Sequence, residues 1–270
     1  MTPDTSEDLP TPPTPDRVAA RAIVLSAISC RALIENDANK PGAEKLRKDV
    51  AQWLADIGIA GEMEASEASL LSVPLGKLDR HSTIEASWSA EGMVVLAWVL
   101  GRASLPVFYA KCEPSEVANA MGFLAEREKT VLTRPRLRDL AEVSVAEETY
   151  LTLHWRLRQF SIDSKPMDFA AYVASCGWGP LRLDQVELCE GDLAIDGVRI
   201  DRLPYAVFRQ SLSIVQERHR AFNWLIGWES LYSRVTTDSF VAADCSAYTG
   251  DPLSRSLLQF GSPVPNHVEG

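Results

Sequence analysis

The chain has 270 residues, 46% hydrophobic and 24% charged, with a formal net charge of −10. This is length enough for a sizeable core, in one large domain or two modest ones, and an ordinary globular composition. The acidic balance is spread along the chain and repels phosphate backbones. The longest basic cluster, TRPRLR at 133–138, is short and lacks aromatic neighbours for base stacking, so no nucleic-acid partner is expected.

The first residues, MTPDTSEDLPTPPTPD, carry neither a basic n-region nor an apolar h-region and do not read as a signal peptide. No stretch approaches the roughly 18 apolar residues of a spanning helix, so no membrane association is expected. The five cysteines, Cys30, Cys112, Cys176, Cys189 and Cys245, are scattered and form no C-x-x-C motif. That spacing suggests neither a zinc ribbon nor a disulfide framework; it fits reduced thiols in a cytoplasmic protein with no metal and no cofactor.

Residues 1–14 are proline-rich and acidic, and read as a disordered tail. Thr14 followed by Pro15 is an N-cap with proline at the first helical position, opening a helix through Asn36. A second helix is predicted over 42–57, ending at Gly58, and a short one over EASEASLLS before Pro74. STIEASWSAEGMVVLAWVLG reads as a helix capped by Ser82, with Glu85 completing a capping box, and stopped by Gly101. Ser115 is predicted to cap a helix through Leu124, and the stretch from Arg136 to Phe160 to form a short helix and a longer one from Val145. Asp196-Gly197 between LAI and VRI signals a β-hairpin. Pro204 then opens a long helix to about Gly227. No βαβ alternation and no glycine-rich phosphate loop appears. The fold class is therefore mainly α: a single multi-helix domain over 15–240 with a small inserted β-hairpin. The tail over 241–270 is expected to be loosely ordered, with LLQF at 257–260 a segment that can dock.

Polar residues on apolar helix stripes are the informative ones. His219 sits within Phe208, Leu212, Val215, Phe222 and Ile226; Glu91 sits within Ile84, Trp88, Val95 and Trp98. Glu35 continues the stripe Leu25, Ile28, Ala32, and His154 lies beside Tyr150 and Leu157. Burying such groups is costly without partners, and Arg31, Arg156 and Arg218 are at hand, so a polar network between helices is the main expectation. The same residues in a pocket would suit acid–base chemistry. No H-E-x-x-H, no helical E-x-x-H and no G-x-S-x-G elbow supports that alternative. The tryptophans fall mostly at core spacing.

The ordered series RALIE, SWSAEGMVVLAWVLG, LR at 137–138, LHWRLR, ERHRAFNWL and VTTDS resembles the bacterial domain-of-unknown-function family 4272, from about Arg17 to Ser239. The resemblance marks Arg31, Glu35, Trp88, Glu91, Trp98, Arg138, Trp155, Arg158, Glu217, Arg218, Asn223, Trp224 and Asp238. The family's closing element usually reads W-D-x-V-x-x-D-T. Here Tyr232 stands for its tryptophan, Ser233 for its aspartate and Ser239 for its threonine, which reads as aromatic-for-aromatic packing.

The resemblance carries no activity. The leading expectation is a non-catalytic cytoplasmic binding or regulatory module with a protein partner. Its binding candidates are Arg31, Trp88, Arg158, Glu217, Arg218, Trp224 and Asp238. The alternative is a hydrolase using Glu35 and Glu91 with His154 or His219.

Overall fold

The computed structural model describes residues 11–177 and 179–237. Asp238, Trp178, Cys245, the first ten residues of the expected 1–14 tail and the expected tail over 241–270 lie outside the described residues. Among those described are eight α-helices and a three-stranded antiparallel sheet. The fold is mainly α with a small β insert.

Helix α1 spans Pro15–Asn36 and begins as the sequence predicts, with Thr14 Oγ1 accepting from the Arg17 amide at 3.3 Å. Its side chains from Val18 to Ala32 are buried on nearly every side, so it is a central element. Helix α2 spans Ala43–Asp56, and Gly58 (φ 70°) lets the chain turn away after it. Helix α3, Ala65–Ser72, starts with a reciprocal box between Glu64 and Glu67.

Helix α4 spans Arg80–Val99, and its cap differs from expectation. Asp79, not Ser82, holds the N-terminus, accepting from the Ser82 amide at 2.9 Å and its hydroxyl at 2.6 Å. A carboxylate at a helix start is both hydrogen-bond acceptor and dipole counter-charge, so the helix extends back to it. Helix α5, Pro114–Ala120, likewise starts after Glu113 with proline in its first turn, and stops short of Leu124. Helix α6 is continuous over Leu140–Ile162 where two helices were predicted. Asp139 caps it through the Ala141 amide at 2.8 Å, and no glycine or proline interrupts it afterwards. Helix α7, Phe169–Ser175, was not anticipated; Trp155 stacks on its Tyr172 at 4.4 Å between ring centroids.

Strands β1 (Leu188–Cys189), β2 (Asp192–Ile195) and β3 (Val198–Arg199) form a meander. The predicted Asp196-Gly197 turn is present, both residues at positive φ as a type I′ turn requires. Glu190-Gly191 makes a second turn of the same kind. Helix α8, Tyr205–Leu225, follows Pro204 and is terminated at Gly227 (φ 84°).

The four long helices pack in a row, α1 on α4, α4 on α8 and α8 on α6. Tyr150 meets Phe222 and Phe160 meets Phe208, so α6 and α8 run antiparallel. Gly92 on α4 lies against the chain that follows α8. A β-carbon there would lie 2.1 Å from the hydroxyl of Tyr232, on the turn that follows α8.

Candidate functional site

Helices α4 and α8 are joined by a buried ion pair, because Glu91 and Arg218 each lie on the inward face of their helix. Arg218 is 0% exposed. Its Nε and Nη2 donate to Glu91 Oε2 at 2.9 and 2.8 Å. Nη1 donates to the carbonyls of Pro106 and Val107 and to the Tyr150 hydroxyl on α6, at 3.0, 3.2 and 3.0 Å. Nη2 reaches the Ala110 carbonyl at 2.7 Å. The other oxygen of Glu91 accepts from the Cys112 amide at 3.1 Å. One guanidinium therefore fastens α4, α6 and the 106–110 segment to α8. Burial, with the adjacent Glu91 charge, pushes the Cys112 thiol up to about 12, so it is not a thiolate nucleophile at neutral pH.

The other candidates fall into separate pairs. Arg31 Nη1 donates to Glu35 Oε2 at 2.6 Å on the last turns of α1. Glu35 also accepts from the amides of Gly76 and Leu78 at 2.9 and 2.8 Å, fixing the chain that leads into α4. Burial raises the Glu35 carboxyl, but the hydrogen bonds from Arg31, Gly76 and Leu78 outweigh it and hold the group below its usual range. His154 on α6 and His219 on α8 share a contact of 3.0 Å between their Nδ1 atoms, so one nitrogen carries the proton between them. Burial, then the neighbouring His154, holds His219 well below the ordinary histidine range. Glu91 is thus bonded to Arg218 and Cys112 rather than to a histidine, and Glu35 stands with Arg31.

The remaining candidates are scattered. Trp88 is half-buried with the Lys111 ammonium 5.0 Å from its ring, and Arg158 lies half-buried on α6. Trp224 is wholly buried with the Arg17 guanidinium 5.4 Å from its ring. Glu217 bonds Arg220 at 2.9 Å, yet burial pushes its carboxyl up to about 7, Arg220 opposing and Glu85 and Glu91 reinforcing the rise.

Two further buried arginine centres belong with these. Arg156 grips Asp192 through two bonds of 2.7 and 2.6 Å, both side chains fully buried, which ties the meander to α6. Arg21 bonds Glu62 at 3.1 Å and Glu67 at 2.6 Å, tying α3 to α1. The sequence marked Arg156 as a polar neighbour but gave no sign of Asp192, and Arg21 attracted no notice because its partners lie over 40 positions away.

Outside the Arg218 centre lies an open cleft of about 840 Å³. Its walls are the 104–109 segment, the face of α6 from Ala141 to Leu153, and Gln185 and Glu187 ahead of β1. Trp98 and Arg138 close one side, the guanidinium lying 4.9 Å from the indole. Tyr150 belongs to both regions: its ring lines the cleft and its hydroxyl meets Arg218. Sequence stripes cannot show such a recess, because three distant segments build it. Among the described residues no group of three or more His, Cys, Asp or Glu is placed to hold a metal ion. No described helix is long and apolar enough to cross a membrane.

Residues 2–172 match the family described as a domain of unknown function, DUF4272, a stretch that includes the Arg31–Glu35 pair, Glu91, His154 and most of the cleft but ends before α8. Neither the curated proteins nor the solved structures provide a match to this chain.

Proposed function

We propose that this chain, which belongs to the DUF4272 family, is a non-catalytic cytoplasmic binding module that takes a protein partner in the cleft beside Tyr150. The observation that carries the proposal is how differently the two sides of Tyr150 use their polar groups. Inside, Arg218 and Glu91 are buried and committed to partners of their own fold. Buried groups so satisfied hold helices in register and have no capacity left for a substrate. Outside, the cleft combines apolar walls with a few polar groups, as binding sites do. Its volume is toward the upper end of the roughly 300–1,000 Å³ usual for ligand pockets, and its open form suits a segment of another protein better than an enclosed small molecule.

Hydrolysis by Glu35 and Glu91 with His154 or His219 would need those groups around one reacting atom. Their hydrogen bonds direct them into three separate pairs, which favours the binding reading. The test is recovery of the tagged chain from its host after cross-linking. A stoichiometric partner cross-linked to residues 104–109 or 141–153 is expected. Ala146→Arg, which fills the cleft from the surface of α6, should abolish that capture without changing the melting temperature. Undiminished capture by the variant would refute the assignment of the cleft.

A further inference from the structure

The cleft's polar groups differ along its length. Near the start of α6, Arg138 Nη1 pairs with Glu142 at 3.2 Å and the two charges offset one another. Toward the sheet, the Tyr109 hydroxyl donates to Asp196 Oδ1 at 2.5 Å, and Glu187 accepts from the Gly197 amide at 2.5 Å. Neither Asp196 nor Glu187 has an ion-pair partner among the described residues. Glu187 on the cleft wall and Asp196, held by the hydroxyl of the lining Tyr109, therefore place two negative charges without a counter-ion beside an aromatic ring, on a chain of net charge −10. A cation is drawn to such a place by field and by ring alike.

An unused donor lies along the same cleft. Arg138 spends Nε on the Trp98 carbonyl and Nη1 on Glu142, leaving Nη2. Leu105, Val145 and Val107, the last 56% exposed, line the cleft with it. A donor of this kind matches a main-chain carbonyl, and the apolar wall matches side chains on one edge of an extended strand.

We propose that the occupant of the cleft is an extended basic segment of a partner protein, its lysine or arginine seated between Glu187 and Asp196 beside Tyr109, an inference that rests on the cleft being the binding site. A main-chain carbonyl of the segment accepts from Arg138, and its apolar residues lie against Leu105 and Val145.

The test uses the full chain and three fluorescently labelled peptides, a capped sequence of alternating leucine and lysine and its counterparts with glutamate or serine in place of lysine. Anisotropy should report binding of the lysine peptide alone, weakened about tenfold in Glu187→Gln/Asp196→Asn, as two partly exposed charge contacts allow. Both substitutions keep their hydrogen-bond acceptors, and asparagine tolerates the positive φ of position 196, so the fold is retained. Binding should weaken further as salt rises. Equal binding of the glutamate peptide, no change in the double variant, or no binding of the lysine peptide would each overturn the proposal. Equally effective competition by acetyl-lysine amide would also overturn it, since a small cation would then suffice. Those outcomes leave the cleft reading intact as long as Ala146→Arg still abolishes capture of the partner. Retention of the partner by Ala146→Arg removes the reading beneath both.

Discussion

Arg218 and Arg138 stand on opposite sides of the Tyr150–Trp98 wall, each beside a carboxylate, and their surroundings make them different residues. Arg218 is wholly buried and every one of its nitrogens donates, to Glu91, to Tyr150 and to three carbonyls of the 106–110 segment. Arg138 has its side chain 34% exposed over an indole face and keeps one nitrogen unused. A guanidinium out of water is costly unless its donors find partners, and round Arg218 the fold supplies a partner for each nitrogen; one at a cleft wall leaves part of its bonding to solvent or to a ligand. Charge on an inward stripe is thus weak evidence of chemistry. Unspent bonding capacity in a recess is the better guide.

The comparison breaks most readily at Arg218. Arg218→Ala leaves Glu91 buried without its counter-ion and releases the 106–110 carbonyls. A loss of about 3–5 kcal/mol in urea unfolding is expected, with partial recovery in Arg218→Ala/Glu91→Gln, where the orphaned charge is gone. Arg138→Ala should cost below about 1 kcal/mol in the same assay, because its ion pair with Glu142 is exposed. Similar losses from both variants would erase the distinction.

Gly92→Ala comes next. The added methyl meets the Tyr232 hydroxyl, and about 1–3 kcal/mol of stability should be lost. Tyr232→Phe removes a buried hydroxyl that has no partner and should be nearly neutral. The double variant should therefore be more stable than Gly92→Ala alone, and a purely additive cycle would contradict the contact.

The histidine pair sharpens the contrast through pH. His219 is held below its unfolded value by burial and by His154, so the unfolded chain is protonated first. Stability is complete above the unfolded histidine range of about pH 6.5 and is lost as pH falls through and below it. The acid-side decline in unfolding free energy should be shallower in His219→Gln, while an unchanged slope would exclude the pair as its source. The smallest effect belongs to Glu187→Gln/Asp196→Asn, whose stability should stay within about 0.5 kcal/mol of the parent, the positions being partly exposed and their bonds conserved.

Much of the scaffold is legible in the sequence because local rules specify it. Thr14-Pro15 fixes the start of α1, Asp196-Gly197 fixes a turn, and the 3.6-residue stripes place Glu91, His154 and His219 inward. Errors arise where two local signals compete. Asp79 displaces Ser82 as a cap because both stand within one turn of the start of α4. The second turn, Glu190-Gly191, escapes because glutamate is not a usual left-handed residue. The pairings escape for another reason. Arg218 finds Glu91 at a separation of 127 residues and Arg156 finds Asp192 at 36, distances over which no spacing rule operates. The cleft is further removed still, since it is a space left between segments. Arg138 could be marked by family resemblance alone, and Tyr109, Tyr150 and Glu187 not as lining at all.

The central claim, that this fold spends its buried charges on itself and binds at the cleft, is tested most directly by one paired measurement on Ala146→Arg. Partner capture after cross-linking and urea unfolding are read from the same preparation. The account predicts an unfolding free energy equal to that of the parent with capture abolished; full capture at unchanged stability would contradict it.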